Sequence, residues 1–273
     1  MGTGVYGAAG AGVLCQLWKR GLEPYAVCGL GAGAWPAALF AAGADARGLA
    51  EAAALIRRMG KRLLPRSRSY LKQRQTLFAA ERLEHLLTLQ TSGRVLALCP
   101  KRAVFPVRMA RQERDVVFST QSFSVGDSGM LAMQASLAFA VRAAIGLAPF
   151  LSPCVWMGQS VLPQMDAAAG VKLLLAMGAQ RVLVVEPVAS PRHTPDALEL
   201  AALCAQPKKM PLPEGAAKLA VVMPDGAYAL DTAQIPVCME AGERAAERDL
   251  DPILEEMGLA ACRVLPFRRM PIG

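Results

Sequence analysis

Apolar and polar positions follow two periods along this chain, and each period predicts one type of element. Apolar residues that recur at helical spacing predict helices at 13–20, 34–42, 46–59, 70–90, 131–145 and 167–177. Short runs rich in Val, Leu and Phe predict strands at 25–28, 94–99, 103–109, 115–119 and 181–186. A proline-rich loop is predicted at 149–163, and 196–205, 218–223, 235–239 and 241–257 continue the alternation of helix and strand. This order predicts an α/β sheet with helices on both faces.

The stretch from residue 25 to residue 43 is the feature around which the chain is organised. A β-prone segment leads into Gly29-Leu30-Gly31-Ala32-Gly33 and then into an alanine-rich helix. A strand, a tight glycine turn and a helix are the context of a G-x-S-x-G nucleophile elbow. Gly31 stands at the position of the serine. The sequence therefore predicts the frame of a hydrolase site without its reacting atom.

A second glycine-rich stretch, MGTGVYGAAGAG, opens the chain. Its glycines let the backbone adopt positive φ and bring N–H groups close to an anion. A glycine loop is a weak signal by itself, and it equally suits a phosphate cradle.

Composition places the chain among folded globular proteins, because 53% of its residues are hydrophobic and 19% are charged. The seven cysteines are scattered without a C-x-x-C pair. This pattern predicts reduced thiols in the cytoplasm, with no metal, disulfide or cofactor. No secretory pattern opens the chain. Two uncharged runs, 24–44 and 143–165, are interrupted by glycine or proline, so buried units are predicted there and a transmembrane span is not.

The net charge of +8 is concentrated in one segment. Between residues 57 and 74 there are eight basic residues and no acid: Arg57, Arg58, Lys61, Arg62, Arg66, Arg68, Lys72 and Arg74. Such a block is either a solvated surface or a patch that contacts phosphate groups, as on an anionic membrane. Nucleic acid is not the predicted partner, because no aromatic residues are interleaved to stack on bases.

The order of these pieces resembles the patatin-like phospholipase family. That family has a loop G-G-G-x-R/K-G, the elbow G-x-S-x-G, a segment A-x-R-A-S-x-A-I-P-G-x-F-P-P, and a D-G-G turn. Here Gly2-Thr3-Gly4-Val5-Tyr6-Gly7 stands at the loop, and Gly29 to Gly33 at the elbow. Residues 140–153, AVRAAIGLAPFLSP, resemble the third segment, and 160–164, SVLPQ, lie at the spacing of D-G-G.

The resemblance covers residues 2–190 and has implications for the fold. It implies a three-layer α/β architecture with a mostly parallel sheet and helices on both faces. It also implies a single domain over 1–273, in which 191–273 is a less similar extension.

The resemblance fails at the residues that carry the family's chemistry. In the family a serine attacks a lipid ester, an aspartate is its base, and glycine-loop amides stabilise the oxyanion. Here the nucleophile position is Gly31 and the base position is Leu162, while Tyr6 and Thr3 replace two residues of the loop. Loss of both dyad members indicates decay or a new role, and a glycine would relieve the backbone strain of an elbow. The resemblance places the anion loop at Gly2, Thr3, Gly4 and Gly7, and the elbow at Gly29, Gly31 and Gly33.

Other polar residues do not readily replace the dyad. Ser160 and Asp166 flank the base position, but no elbow surrounds the serine. The string Gly126-Asp127-Ser128-Gly129 is predicted to be a turn. Surface positions are predicted for His85 and His193, and a hairpin turn for Asp225-Gly226.

Three functional interpretations stay open. The preferred one is a pseudo-hydrolase that binds a lipid, an acyl ligand or a partner, in the cytoplasm or at the periphery of an anionic membrane. The second is an active lipid acyl hydrolase with relocated catalytic residues. The third is a protein-interaction module whose basic segment meets a partner.

The beginning of the chain also departs from the family. The family fold starts with a strand that feeds the glycine loop, whereas this sequence starts at the loop. Either the start site is placed too late or the sheet lacks its first strand. A missing central strand would leave backbone hydrogen-bonding groups of the sheet unpaired, so a start placed too late is the preferred explanation if the gene has apolar codons upstream.

Overall fold

A computed structural model describes residues 4–66, 76–111, 114–126, 129–148, 150–197, 199–200 and 211–259. The helices there are α1 (Ala9–Lys19), α2 (Ala34–Ala41), α3 (Ala46–Met59), α4 (Glu81–Gln90), α5 (Leu137–Ile145), α6 (Ala167–Ala176) and α7 (Ile235–Glu256). The strands are β1 (Val27–Cys28), β2 (Ala103–Met109), β3 (Asp115–Ser119), β4 (Gly129–Ala132), β5 (Cys154–Trp156), β6 (Gln159–Pro163), β7 (Val182–Val188) and β8 (Ala216–Val222). Within these ranges no helix is both long enough and apolar enough to cross a membrane.

The central sheet has six strands, in the order β4–β3–β2–β6–β5, with β1 also paired to β2. β1 and β6 share one edge of β2. β1 runs parallel to the start of β2, at Ala103 and Val104, and β6 runs antiparallel to its end, at 107–109. β3 lies along the other edge, and β7 and β8 form a separate parallel pair. Counted over the central sheet and the β7–β8 pair together, parallel pairing covers slightly more residue pairs than antiparallel pairing, so the strands are mixed but mostly parallel. Within the six-stranded sheet alone, antiparallel pairs predominate.

Side chains of β2 alternate between two hydrophobic layers, because successive residues of a strand point to opposite faces. Phe105 and Val107 point into a core formed with α1 to α5 and α7. Val104 points to the opposite face and packs in a cluster that includes Leu174 of α6 and Val182 of β7. Helices therefore cover both faces, and the predicted three-layer α/β fold is confirmed.

Several predicted elements have the observed bounds, and others are wrong. α3, β2 and β3 begin and end where the pattern places them. The predicted helix 70–90 is helical only from Glu81, since 76–80 are not helical and 67–75 lie outside the described residues. The predicted strand 94–99 contains a 3-10 turn, Leu96–Leu98, whose first N–H donates to the carbonyl oxygen of Ala135.

The largest differences concern residues 129–163 and the last helix. β4 occupies the start of the predicted helix 131–145, and α5 begins only after the N-cap Ser136, whose side chain accepts from Phe139 N–H. The predicted loop 149–163 contains β5 and β6. Residues 235–239 are part of α7 and not a separate element.

Two predictions near the C-terminus have different outcomes. The predicted helix 196–205 falls mostly outside the described residues. Asp225 and Gly226 form a turn, as predicted, but not a hairpin, because β8 leads onward to a 3-10 turn and α7.

Helices α1 and α7 cross with their backbones in direct contact. A Cβ atom at Gly12 would lie 2.0 Å from the carbonyl oxygen of Met239, and one at Gly242 would lie 2.1 Å from that of Ala9. No side chain fits into either gap. The crossing fixes α7 against the helix that follows the glycine loop.

Candidate functional site

The segment between β1 and α2 has the geometry of an elbow. Leu30 is extended, with φ −108° and ψ 128°, and Gly31 then turns the chain with φ +52°. A 3-10 turn over Gly31–Gly33 leads into α2. A Cβ at Gly29 would lie 2.6 Å from Ala34 Cα, so only glycine allows the turn to fold back this closely. The predicted strand, tight turn and helix are all present.

The glycine loop packs directly against this elbow. Residues Gly4–Ala8 form a 3-10 turn that runs into α1. A Cβ at Gly7 would lie 2.3 Å from the carbonyl carbon of Ala32, the residue after Gly31. The structure thus brings together Gly4 and Gly7 of the predicted anion loop with the predicted elbow, while Gly2 and Thr3 lie outside the described residues.

The loop is held by a segment from the far end of the chain. The Val5 N–H donates to the carbonyl oxygen of Ala229 over 2.7 Å, and the Tyr6 hydroxyl donates to that of Ala227 over 2.8 Å. Nothing in the sequence signals this contact, because more than two hundred residues separate the partners and no motif marks either alanine.

A cavity of about 180 Å³ lies beside the elbow and the loop. Its walls come from the loop, the elbow, α2, α3, α4, α5, the end of β6 and the segment 229–235, together with Leu147, Phe150 and Leu151. Among the described residues that line it none is charged, and Thr232 supplies the only side-chain hydroxyl. An apolar cavity of about 150 Å³ stays dry and can bind a small apolar molecule. The site is therefore suited to a hydrocarbon chain.

The predicted base position does not face this cavity. Leu162 pairs with Arg108 and is 37% exposed, whereas its neighbour Val161 is fully buried in the core. Because strand residues alternate, Leu162 points to the face away from Gly31. Pro163 and Met165 line the cavity in its place.

The other polar residues considered from sequence lie apart from the cavity lining. Ser160 is exposed on β6. Asp166 is the N-cap of α6 and accepts from Ala168 N–H over 3.0 Å. Residues 127–128 of the GDSG string fall outside the described residues.

The two histidines have different environments. His85 is exposed, as predicted. The surface position predicted for His193 is wrong, because its side chain is only 12% exposed and its Nε2 lies 2.5 Å from Glu199 Oε2. The other Glu199 oxygen accepts from Ala229 N–H over 2.7 Å, so this pair supports the segment that holds the glycine loop. Neither side chain of the pair lines the cavity itself.

Buried titratable groups near the elbow are kept neutral. Burial raises the pKa of Tyr6 to about 12, with a smaller contribution from the carboxylate of Glu199. Burial also raises the pKa of Cys28, directly before the elbow, to about 12. The thiol next to the elbow therefore stays protonated and is not a thiolate nucleophile.

The basic segment borders one wall of the cavity. Arg57, Arg58, Lys61, Arg62 and Arg66 are exposed, and Arg68, Lys72 and Arg74 lie outside the described residues. Ile56, Leu63 and Leu64, from the same stretch of chain, line the cavity. Positive charge and apolar lining are thus combined in one segment.

Fold and site together define an α/β protein built on a hydrolase frame, with an elbow, a glycine loop and an adjoining apolar cavity. A family model described as patatin-like phospholipase matches residues 1–168, which is more than half of the chain. The chain belongs to the patatin-like phospholipase family. A comparison with curated proteins finds no match.

Proposed function

We propose that this member of the patatin-like phospholipase family does not hydrolyse esters and binds an acyl chain or lipid in the cavity beside Gly31. One observation carries the proposal: the cavity adjoins the elbow, yet its described lining offers no nucleophile at position 31 and no titratable side chain. Hydrolysis by a serine-type mechanism needs both a nucleophile and a base.

The glycine loop supports the same conclusion. Oxyanion stabilisation requires N–H groups that are free to bind the developing charge. The Val5 N–H is instead bonded to Ala229 within the chain. A loop closed by an internal carbonyl is suited to holding the wall of a binding site and not to catalysis.

The basic segment supports a location at anionic lipid. We propose that Lys61, Arg62 and Arg66 contact lipid headgroups while the adjoining apolar wall receives the chain. Each Lys or Arg near an anionic membrane contributes about 1 kcal/mol of binding. We also propose a cytoplasmic location, which the free state of the five described cysteines supports.

The test is thermal stabilisation of the purified protein by fatty acids, together with mass spectrometry of lipids that copurify. A ligand present at 100 times its Kd stabilises the folded state by about 2.7 kcal/mol. Ala144 is buried and lines the cavity, so Ala144→Leu should fill the cavity and abolish the rise in Tm that a fatty acid causes. Ala50→Leu adds the same side chain at an exposed position of α3 and should leave the rise in Tm unchanged.

Two results would favour the alternatives. Turnover of a nitrophenyl ester that survives Gly31→Ala would indicate an active hydrolase with relocated residues, for which the Thr232 hydroxyl is the first group to replace. A protein that neither binds lipid nor hydrolyses esters would favour the interaction module.

A further inference from the structure

Arg142 is a buried cation in the middle of α5. Val141 and Ala144, on the same helix, line the cavity, whereas Arg142 is 2% exposed and lies behind the lining. Burying a charge is unfavourable unless the charge is paired and hydrogen-bonded. The partners of Arg142 therefore identify the elements that it holds in place.

One end of the guanidinium holds the segment 147–152, of which position 149 lies outside the described residues. Arg142 Nη2 donates to the Ser152 carbonyl oxygen over 2.6 Å and lies 3.1 Å from Ser152 Oγ. Gly146 permits this approach, because a Cβ there would lie 2.8 Å from Nη1. Leu147, Phe150 and Leu151 of this segment form part of the cavity wall.

The other side of the guanidinium faces α4. Arg142 Nε lies 3.2 Å from Glu84 Oε1, but without the alignment of a hydrogen bond. The Glu84 side chain is 53% exposed, so solvent screens this ion pair. Leu83 and Leu87 on the same helix line the cavity. The contact with α4 is therefore weaker than the contact with Ser152.

We propose that Arg142 is a positioning residue that sets the width of the cavity and thereby the length of acyl chain it accepts, an inference that rests on the proposed function. Arg142 contacts three walls of the cavity: its own helix α5, helix α4 and the segment 147–152. The two contacts with Ser152 keep that segment against α5. Both contacts are made by the single nitrogen Nη2. Lysine retains the charge, but its side chain is one atom shorter than the path to Nη2, so its ammonium group does not reach both acceptors. Replacing Arg142 by lysine therefore lets the segment move outward, and longer chains fit.

The first measurement is amide hydrogen exchange in the ligand-free protein. The N–H groups of Phe150 and Leu151 both donate to the carbonyl oxygen of Leu147. We expect Arg142→Lys to accelerate their exchange. Unchanged exchange overturns the positioning role, and this result does not depend on any ligand.

The second measurement is the ratio of the Kd values for octanoate and palmitate, obtained by displacement of a fluorescent fatty acid. A hydrophobic pocket discriminates one methylene by roughly 10–200-fold, so we expect Arg142→Lys to shift the ratio toward palmitate by about tenfold. Glu84→Gln should produce a smaller shift in the same direction. Glu81→Gln, at an exposed position one turn earlier on α4, is the matched control and should produce none.

The outcomes separate this inference from the proposed function. If Arg142 had a purely structural role, its replacement would weaken the binding of both fatty acids equally and leave the ratio of their Kd values unchanged. That result would overturn the proposed role of Arg142 in chain-length selectivity. If neither fatty acid binds the native protein, the proposed function and the selectivity both fail, while the exchange measurement still decides whether Arg142 holds the segment. If Arg142→Lys does not fold, Ser152→Ala is the substitute, because it removes only the Oγ contact. It must then show a smaller acceleration of amide exchange and a smaller shift of the Kd ratio.

Discussion

The backbone N–H of Val5 and the carbonyl oxygen of Ala229 are joined by a hydrogen bond of 2.7 Å. The contact places a peptide group from the segment after β8 against the glycine loop of a patatin-like frame. The same segment lines the cavity through Ala229, Leu230 and Thr232. Within the described part of the glycine loop, the Val5 amide is thus engaged in the internal structure of this protein.

Restoring the family dyad by position alone is expected to fail. Gly31→Ser combined with Leu162→Asp should not release nitrophenol from a short-chain ester, because residue 162 points away from the cavity and the Val5 amide is occupied. Gly31→Ser with Pro163→Asp is the matched comparison, since Pro163 lines the cavity. Any activity should arise in this second pair. Turnover by the Leu162→Asp pair would show that position 162 reaches the elbow.

The turn at Gly31 should be sensitive to any side chain. A left-handed backbone conformation costs an L-residue roughly 1–2 kcal/mol, so Gly31→Ala should lower the free energy of unfolding by about that amount. Gly33 has φ −65° and ψ −11° and provides the control. Gly33→Ala should be nearly neutral in urea denaturation. An equal decrease in the free energy of unfolding of the two variants would contradict the positive φ at residue 31.

The contact between loop and elbow should depend on Gly7. Alanine there would place a methyl group 2.3 Å from the carbonyl carbon of Ala32, and such overpacking costs about 1–3 kcal/mol. Gly10 is the comparison, because its Cβ would lie 3.5 Å from Pro36 Cγ in ordinary contact. Gly10→Ala should stabilise α1 by about 0.5–1 kcal/mol. Thermal or chemical unfolding of the two variants measures the difference, and similar values would refute the close packing.

The contact between Tyr6 and Ala227 should appear in the alkaline stability profile. The pKa of Tyr6 in the folded protein is about 12, against an ordinary value of 10.0. The protonated Tyr6 hydroxyl therefore contributes its full stabilisation of the folded state below pH 10, and this contribution is lost as the pH rises through 12. Tyr6→Phe should be less stable at neutral pH, by about 1 kcal/mol for the lost hydrogen bond. The difference in free energy of unfolding between Tyr6→Phe and the native protein should decrease between pH 10 and 12. A constant gap in urea unfolding across this range would contradict the prediction.

The basic segment beside the cavity should control binding to anionic vesicles. Changing Lys61, Arg62 and Arg66 together to Glu should abolish cosedimentation with phosphatidylserine vesicles, and native binding should weaken as salt is raised. The control changes the exposed Arg47, Arg244 and Arg248 to Glu, which alters the net charge equally. An equal loss in both triple variants would mean that only the overall charge matters.

The core strands and the elbow could be predicted from the sequence because their signals are local. β2 is apolar and buried at every position except the exposed Arg108, and its bounds follow from its residues. The elbow was recognisable because glycines follow a short apolar strand and come before alanines of high helix propensity. The Asp45 cap, which accepts from Gly48 N–H, gives α3 a clear start.

The errors arose where tertiary contacts decide the structure. Residues 94–99 are apolar enough for a strand, but only Val95 forms a bridge, to Ser136, and Leu96–Leu98 form a 3-10 turn. The start of the predicted helix 131–145 pairs with β3 instead. The orientation of Leu162 depends on the register of β6 against β2, which spacing along a motif does not specify.

The close backbone contacts of Gly12 with Met239 and of Gly242 with Ala9 also have an evolutionary consequence. Gly12 lies inside the portion that the family model matches, and Gly242 lies beyond it. Neither position has room for a methyl group, because each glycine lies against backbone atoms of the opposite helix. A larger residue at one position therefore cannot be accommodated by any substitution at the other. The two portions are therefore expected to be inherited as a single unit. A chimera that exchanged only the C-terminal portion with a relative lacking this glycine would separate α1 from α7.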